Sequence, residues 1–297
     1  MTSNPSISPG TPDWFQKAIG APAASRYVDV EGTSIHYLLW NEQDTHKPGL
    51  LFAHGFRAHA RWWSFVAPFF LSRFRVAALD FAGMGDSGNR LAYNPALFAL
   101  DIASVIQHAG LNQATVVGHS FGGRCVVRAC ADHPQLVRRA VIVDSYLPVP
   151  QIERSGPAAS FQLRPKRIYP TLEAARARFR LVPEQNNAAP YVLDYVGEHS
   201  IRQVDGGWTW KFDDAYIRQP GSIAEEAARV AAALSQLELP VTFIYGDRSA
   251  VVSRAHAYAI VGHLRHGHGP IAIPQSHHHV MLDQPLSLVA ALRAVLY

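Results

Sequence analysis

The chain has 297 residues, a net charge of +4, 48% hydrophobic residues and 17% charged residues. This length allows one or two domains whose core needs no disulfide staples, and the apolar-to-charged balance excludes an intrinsically disordered chain. No apolar run approaches the roughly 20 residues that span a bilayer, so no membrane partner is expected.

The opening MTSNPSISPGTPDW has neither a cationic start nor an apolar h-region, and reads as a flexible lead-in over residues 1–25 rather than a secretory signal. YVDV and IHYLLW then form an opening hairpin around Glu31 and Gly32. LLFAH and VAALD read as buried strands, followed by a helix capped by Asn94, started by Pro95 and closed by Gly110. TVVGHS is the next strand, and the helix pattern after it carries Cys125 and Cys130, the only cysteines. Five apart on one helix, they are poorly placed to bridge, which fits a reducing compartment and a cytoplasmic location. AVIVD is another strand. VTFIY, a helix capped by Ser253, PIAIP, and a last helix from near Asp283 and Pro285 complete the chain. Strands alternating with helices in this way predict an α/β fold, a mostly parallel sheet with helices on both faces.

From Asp144 to Pro240 the chain runs about three times longer than the roughly 30 residues of a strand–helix–strand unit. The surplus includes the helical pattern YPTLEAARARFRL and the aromatic GGWTWKFDD, and predicts an inserted helical cap over the sheet's carboxyl edge. The basic patch RPKR at 164–167 reads as solvated surface, and no nucleic-acid partner is expected.

The chemistry concentrates at Gly118-His119-Ser120-Phe121-Gly122, a G-x-S-x-G between a buried strand and a helix. Ser120 must occupy a sharp, strained turn, so Gly118 and Gly122 leave room where side chains would collide, and the amino end of the helix favours developing negative charge. With this motif the chain resembles the α/β-hydrolase family over roughly residues 26 to 297, as a serine esterase- or lipase-like member. The resemblance implies an eight-stranded, mostly parallel core over 26–147 and 223–297, interrupted by the cap over 148–222.

It also implies roles. His54-Gly55-Phe56 is similar to the family's loop after the third strand, so the backbone N–H groups of Phe56 and Phe121 are expected to form the oxyanion hole. His54 itself is expected to shape the loop. In IPQSHHHVMLDQP the spacing back from Asp283 and Pro285 selects His278 as general base, with His279 as the alternative. Many family members carry the triad acid three residues after the glycine ending the late strand, and here that position is Ser249. Asp247 lies only one residue past Gly246, so the other location used in the family, the end of the strand after the nucleophile helix, favours Asp144, with Asp247 as the alternative acid.

Arg57 and Arg124 flank these motifs as candidate cations for a carboxylate-bearing substrate. Trp208, with Trp210, Phe161, Tyr169, Phe179 and Tyr191, is a candidate wall for an apolar pocket. No cofactor is expected: the G-x-G-x-x-G of Gly83 to Gly88 does not open into a helix, as a dinucleotide fingerprint requires. No metal is expected either, since the consecutive side chains of His277, His278 and His279 do not converge on one ion, and His263, His266 and His268 read as surface. The expected partner is a small-molecule ester or lactone. C–C bond hydrolysis on the same fold is one alternative, and a weakly catalytic, receptor-like ligand-binding protein is another, favoured mildly by Ser249.

Overall fold

A computed structural model of the chain describes residues 10–150, 166–215 and 223–297. The first nine residues, Phe161, Arg164 and Pro165 lie outside the described residues.

The described chain departs from the expected lead-in at once. A short helix, α1 (Asp13–Ile19), buries Phe15 and Ala18, which lie three apart on one helical face. The Phe15 ring sits 5.2, 4.8 and 5.8 Å from those of Phe65, Tyr191 and Tyr195. The Pro/Ser-rich composition ends before Asp13, and one aromatic anchor is enough to dock the rest. Strands β1 (Ala23–Val30) and β2 (Thr33–Trp40) follow. They turn through Glu31 and Gly32, both at positive φ (52° and 74°), a geometry whose twist matches the flanking strands.

β3 (Gly49–Ala53), two 3₁₀ turns (Ala60–Trp63 and Ala67–Phe70) and β4 (Arg75–Leu79) lead to α2 (Pro95–His108). There the Leu97 N–H donates to Asn94 Oδ1 at 2.9 Å, as the capping signal predicts. Then come β5 (Ala114–His119), α3 (Phe121–Asp132) and β6 (Val137–Val143). After the intervening segment, α6 (Ile223–Leu234), β9 (Val241–Gly246), α7 (Arg254–His263), β10 (Gly267–Ile273), α8 (Val280–Asp283) and α9 (Pro285–Leu296) complete the chain.

Eight strands form one sheet in the order β1-β2-β4-β3-β5-β6-β9-β10, in which β2 alone runs antiparallel to its neighbours. Alternate residues feed two cores. Leu51, Val116, Ile142 and Phe243 face α2, α3, α6 and α7, whereas Leu50, Val117, Val141 and Ile244 face α1, the 3₁₀ turns and α9. Both faces are covered, so the central strands are apolar throughout instead of alternating. Register carries the strand ends to one edge, with Ala53 beside Gly118, His119 beside Val143, and Val143 beside Ile244.

Between β6 and β9 lie α4 (Leu172–Arg176) and α5 (Pro190–His199), and also a hairpin, β7 (Ile201–Val204) and β8 (Gly207–Trp210). The inserted segment is therefore not helical throughout. Asp205-Gly206 is a two-residue hairpin turn with Gly206 at φ 82°, and the Trp-Thr-Trp alternation after it has strand period. Residues 211–214 tie the segment to the core. The Gly85 N–H donates to Lys211 O (2.8 Å), the Asp213 N–H donates to Gly83 O (2.7 Å), and Lys211 pairs with Asp86 (2.6 Å).

Truncating Phe15 to alanine removes a fully buried aromatic anchor, and is expected to destabilise the protein by about 3–5 kcal/mol. Urea unfolding followed by tryptophan fluorescence measures this; an unchanged midpoint would mean that α1 contributes nothing to the folded state.

Candidate active site

Ser120 occupies the joint between β5 and α3 with φ 54° and ψ −117°, outside the regions that L-residues favour. Its N–H donates to Val143 O at 3.0 Å, and its carbonyl accepts from the Gly123 N–H (3.0 Å) and the Ser145 hydroxyl (2.7 Å). The glycines on either side are steric requirements. A Cβ at Gly118 would lie 2.6 Å from Gly122 O, and one at Gly122 would lie 2.5 Å from His54 O.

One hydrogen-bonded chain leads away from the serine. Ser120 Oγ is 2.9 Å from His278 Nε2, and His278 Nδ1 is 2.8 Å from Asp144 Oδ1. A carboxylate only accepts, so Nδ1 carries the proton toward Asp144 and Nε2 offers its lone pair to the Ser120 hydroxyl. Asp144, itself at positive φ (46°) and fully buried, takes two further donors. The Gly246 N–H reaches Oδ2 at 2.8 Å, and the Ser249 hydroxyl reaches Oδ1 at 2.7 Å. The Val251 and Val252 N–H groups donate to Ser249 Oγ in turn, which fixes its direction (3.0 and 3.2 Å).

The other candidates fall into place around this chain. Asp247 is exposed and accepts from the Ser276 N–H at 3.2 Å, so it shapes the turn before the histidines and does not touch His278. His277 turns to Asp283, which takes its backbone N–H (2.7 Å) and lies 3.0 Å from its Nδ1. Gln185 bridges Asp283 Oδ1 (2.6 Å) and the His279 N–H (2.9 Å). His279 is buried beside His278 and does not reach Ser120. On the side of the Gly55–Phe56 loop, a Cβ at Gly55 would lie 3.5 Å from Ser120 Cβ, and the Phe56 and Phe121 rings meet edge-on at 5.8 Å. His54 is buried, with Nδ1 at Gly55 O (2.7 Å) and Nε2 accepting the Phe81 N–H (3.1 Å). Burial holds its pKa down, so it is a neutral loop brace.

Arg57 differs from the expected substrate cation. Its Nε and Nη2 both donate to Asp214 Oδ1 (3.1 and 2.5 Å), and its guanidinium lies 4.6 Å from the Phe212 ring centre. The carboxylate that recruits it belongs to the chain itself. Arg124 lies over the Phe121 ring at 5.9 Å. Trp208 pairs through its backbone with Tyr169, and no described contact joins it to Ser120 or His278. Ser145, Ser249, Gln185 and Asp214 support the site without any motif to announce them. Only Ser249 carried a signal, as the residue standing at an acid's usual position.

A mostly parallel sheet with a strained serine at the end of β5, hydrogen-bonded in sequence to a histidine and an aspartate on neighbouring loops, has the architecture of an α/β hydrolase. The model of the alpha/beta hydrolase fold family matches residues 48–285, and the chain belongs to that family. It is 27% identical over 275 residues to esterase Rv0045c of Mycobacterium tuberculosis, covering 90% of this chain and 88% of the relative. Identity to 2-(acetamidomethylene)succinate hydrolase of Mesorhizobium japonicum is 26% over 234 residues, covering 78% and 82%. The thioesterase domain from the curacin biosynthetic pathway has the same fold, with a TM-score of 0.73 at 22% identity over 92% of this chain and 99% of that one.

Replacing Asp144 with asparagine keeps the shape but is expected to lower kcat by about 10³–10⁴-fold. Asp247→Asn should stay near wild type. Ser249→Ala, which removes one bond to a charged acceptor, should cost about ten- to a hundred-fold. Steady-state kinetics on one ester substrate, with folding checked by circular dichroism, ranks the three. An Asp247 effect larger than that of Asp144 would reverse the assignment.

Proposed function

We propose that the protein is a serine hydrolase that cleaves small to medium carboxylic esters, lactones included, through an acyl-enzyme. The observation that carries this reading is the continuous hydrogen-bonded chain Ser120–His278–Asp144. His278 Nε2 takes the hydroxyl proton as Ser120 Oγ attacks the carbonyl carbon. Asp144 holds the ring in the matching tautomer and stabilises its positive charge. The N–H groups of Phe56 and Phe121, the latter at the amino end of α3, stabilise the tetrahedral oxyanion. His278 then returns the proton to the leaving alcohol, and water repeats both steps on the acyl-enzyme.

The segment 148–222 acts as a cap that sets substrate size, and Cys125 and Cys130, present as thiols, fit a cytoplasmic protein. No described helix is long and apolar enough to cross a membrane. Among its relatives, an esterase supports ester cleavage. Another relative is a 2-(acetamidomethylene)succinate hydrolase, which agrees with a hydrolase reading.

The test is a burst of p-nitrophenol from p-nitrophenyl acetate and butyrate, with Ser120→Ala as control. Wild-type protein should release a stoichiometric burst, and Ser120→Ala should lower turnover by about four orders of magnitude or more. Silence of the wild-type protein across esters and lactones would remove the ester reading and leave C–C hydrolysis or ligand binding.

A further inference from the structure

A second serine, histidine and aspartate stand in line away from Ser120. Ser25 Oγ is 2.8 Å from His36 Nε2, and His36 Nδ1 is 2.7 Å from Asp80 Oδ2. The corresponding distances at Ser120 are 2.9 and 2.8 Å. Sheet register produces the line. In the β1–β2 pair Tyr27 stands opposite His36 and Ser25 opposite Leu38, so the side chains of Ser25, Tyr27 and His36 share one face. On the other flank of β2 the Asp80 N–H donates to His36 O at 2.8 Å, which sets the carboxylate beside the ring. β1 is the outer strand and lies four places from β5 in the sheet order, about 19 Å across the sheet, so the two lines are separate sites.

The inner two members are fixed and the outer one is open. His36 and Asp80 are each 2% exposed, whereas Ser25 is exposed. Asp80 accepts the backbone N–H groups of Ala60 (2.5 Å) and Asp86 (2.9 Å), donors suited to a carboxylate. A carboxylate only accepts, so His36 carries its proton on Nδ1 and turns the Nε2 lone pair to the Ser25 hydroxyl. The His36 backbone is held as well. Its N–H donates to Ser87 Oγ at 2.8 Å, and that hydroxyl donates to Asp80 O at 2.7 Å. A preorganised base therefore meets a hydroxyl that faces solvent. The half-exposed Tyr27 ring, 5.0 Å from the imidazole, gives that surface a flat aromatic side.

We propose that Ser25 is a second nucleophile, one that takes a single acyl group from an activated acyl donor of the aryl-ester class. The Ser25 oxygen bonds to the acyl carbon, the aryloxide leaves, and the hydroxyl proton passes through His36 Nε2 to that aryloxide. Tyr27 is the ring on which the aryl group stacks. Ser25 lies inside a strand, not at the amino end of a helix as Ser120 does, so the oxyanion forms without that support and acylation is slow. The product is an ordinary alkyl ester with a poor leaving group, and it accumulates instead of turning over. The inference is independent of the chemistry assigned to Ser120.

Ser120→Ala protein treated with p-nitrophenyl acetate, and mapped over time by peptide mass spectrometry, tests it. Ser25 should gain its acetyl group about 100-fold faster than Ser253 and Ser287, exposed serines with no described bond to an imidazole. His36→Gln should bring Ser25 down to their rate. Ser25→Ala should remove that one label and leave acetylation elsewhere unchanged. Labelling of Ser25 no faster than that of the other two serines, or equally fast in His36→Gln, would overturn the proposal and leave His36 a structural brace. If His36→Gln does not fold, the comparison of the three serines within the Ser120→Ala protein decides.

Discussion

The site depends on holding one residue, Ser120, in a backbone conformation worth about 1–3 kcal/mol of strain. A loop would relax; a strand locked on both sides does not. β5 is paired to β3 and β6 along its length, and the Ser120 N–H continues that ladder to Val143 O. On the other side, α3 is driven against the sheet by buried Val126, Val127 and Cys130. Strand pairing and helix packing thus push the turn from opposite sides, and the hydroxyl projects at the carboxyl edge where the neighbouring loops end. Gly118 and Gly122 keep that closeness possible.

The same edge explains how a buried carboxylate, Asp144, can follow β6 while a serine, Ser249, comes from the loop after β9. Asp144 and Ser249 come from neighbouring strand ends and meet at one carboxylate oxygen. A fully buried carboxylate needs donors in place of water, and Asp144 has an imidazole, a backbone N–H and a hydroxyl. Two aspartates at these positions would instead set like charges against each other at His278. Once one strand supplies the charge, the best partner on the other is a neutral donor, which is what Ser249 is. Its hydroxyl completes the set of donors around the buried Asp144 carboxylate.

Much of this was legible in the residues, for identifiable reasons. The eight strands, the Glu31-Gly32 hairpin and the Asn94 and Ser253 caps each rest on local chemistry, so short windows suffice. Ser120 was visible because its turn demands glycines at fixed offsets. His278 and Asp144 were ranked by what the resemblance to the family implies, and geometry joined them to Ser120. What stayed hidden depends on contacts distant in sequence. Phe15 docks on Tyr191 and Tyr195, so the segment around it looked like a tail. The β7–β8 hairpin was masked by helical patterns on either side, although Asp205-Gly206 is a turn signal. Arg57 looked like a substrate cation because Asp214, its partner, comes from the far end of the inserted segment.

That ion pair places a limit on how the inserted segment can move. Phe56 and Arg57 are consecutive, and Arg57 sits at φ 59°, so the guanidinium and the Phe56 N–H share a stiff turn. Asp214 is almost buried, and Phe212 lies under the same guanidinium while its neighbours Lys211 and Asp213 are bonded to the Gly83–Asp86 turn. Shifting residues 211–214 must either carry the Phe56 loop along or strand a carboxylate that is nine-tenths buried, the costlier outcome when one partner of a buried pair is lost. Residues 211–214, the Gly83–Asp86 turn and the Phe56–Arg57 turn are in this way one mechanical unit.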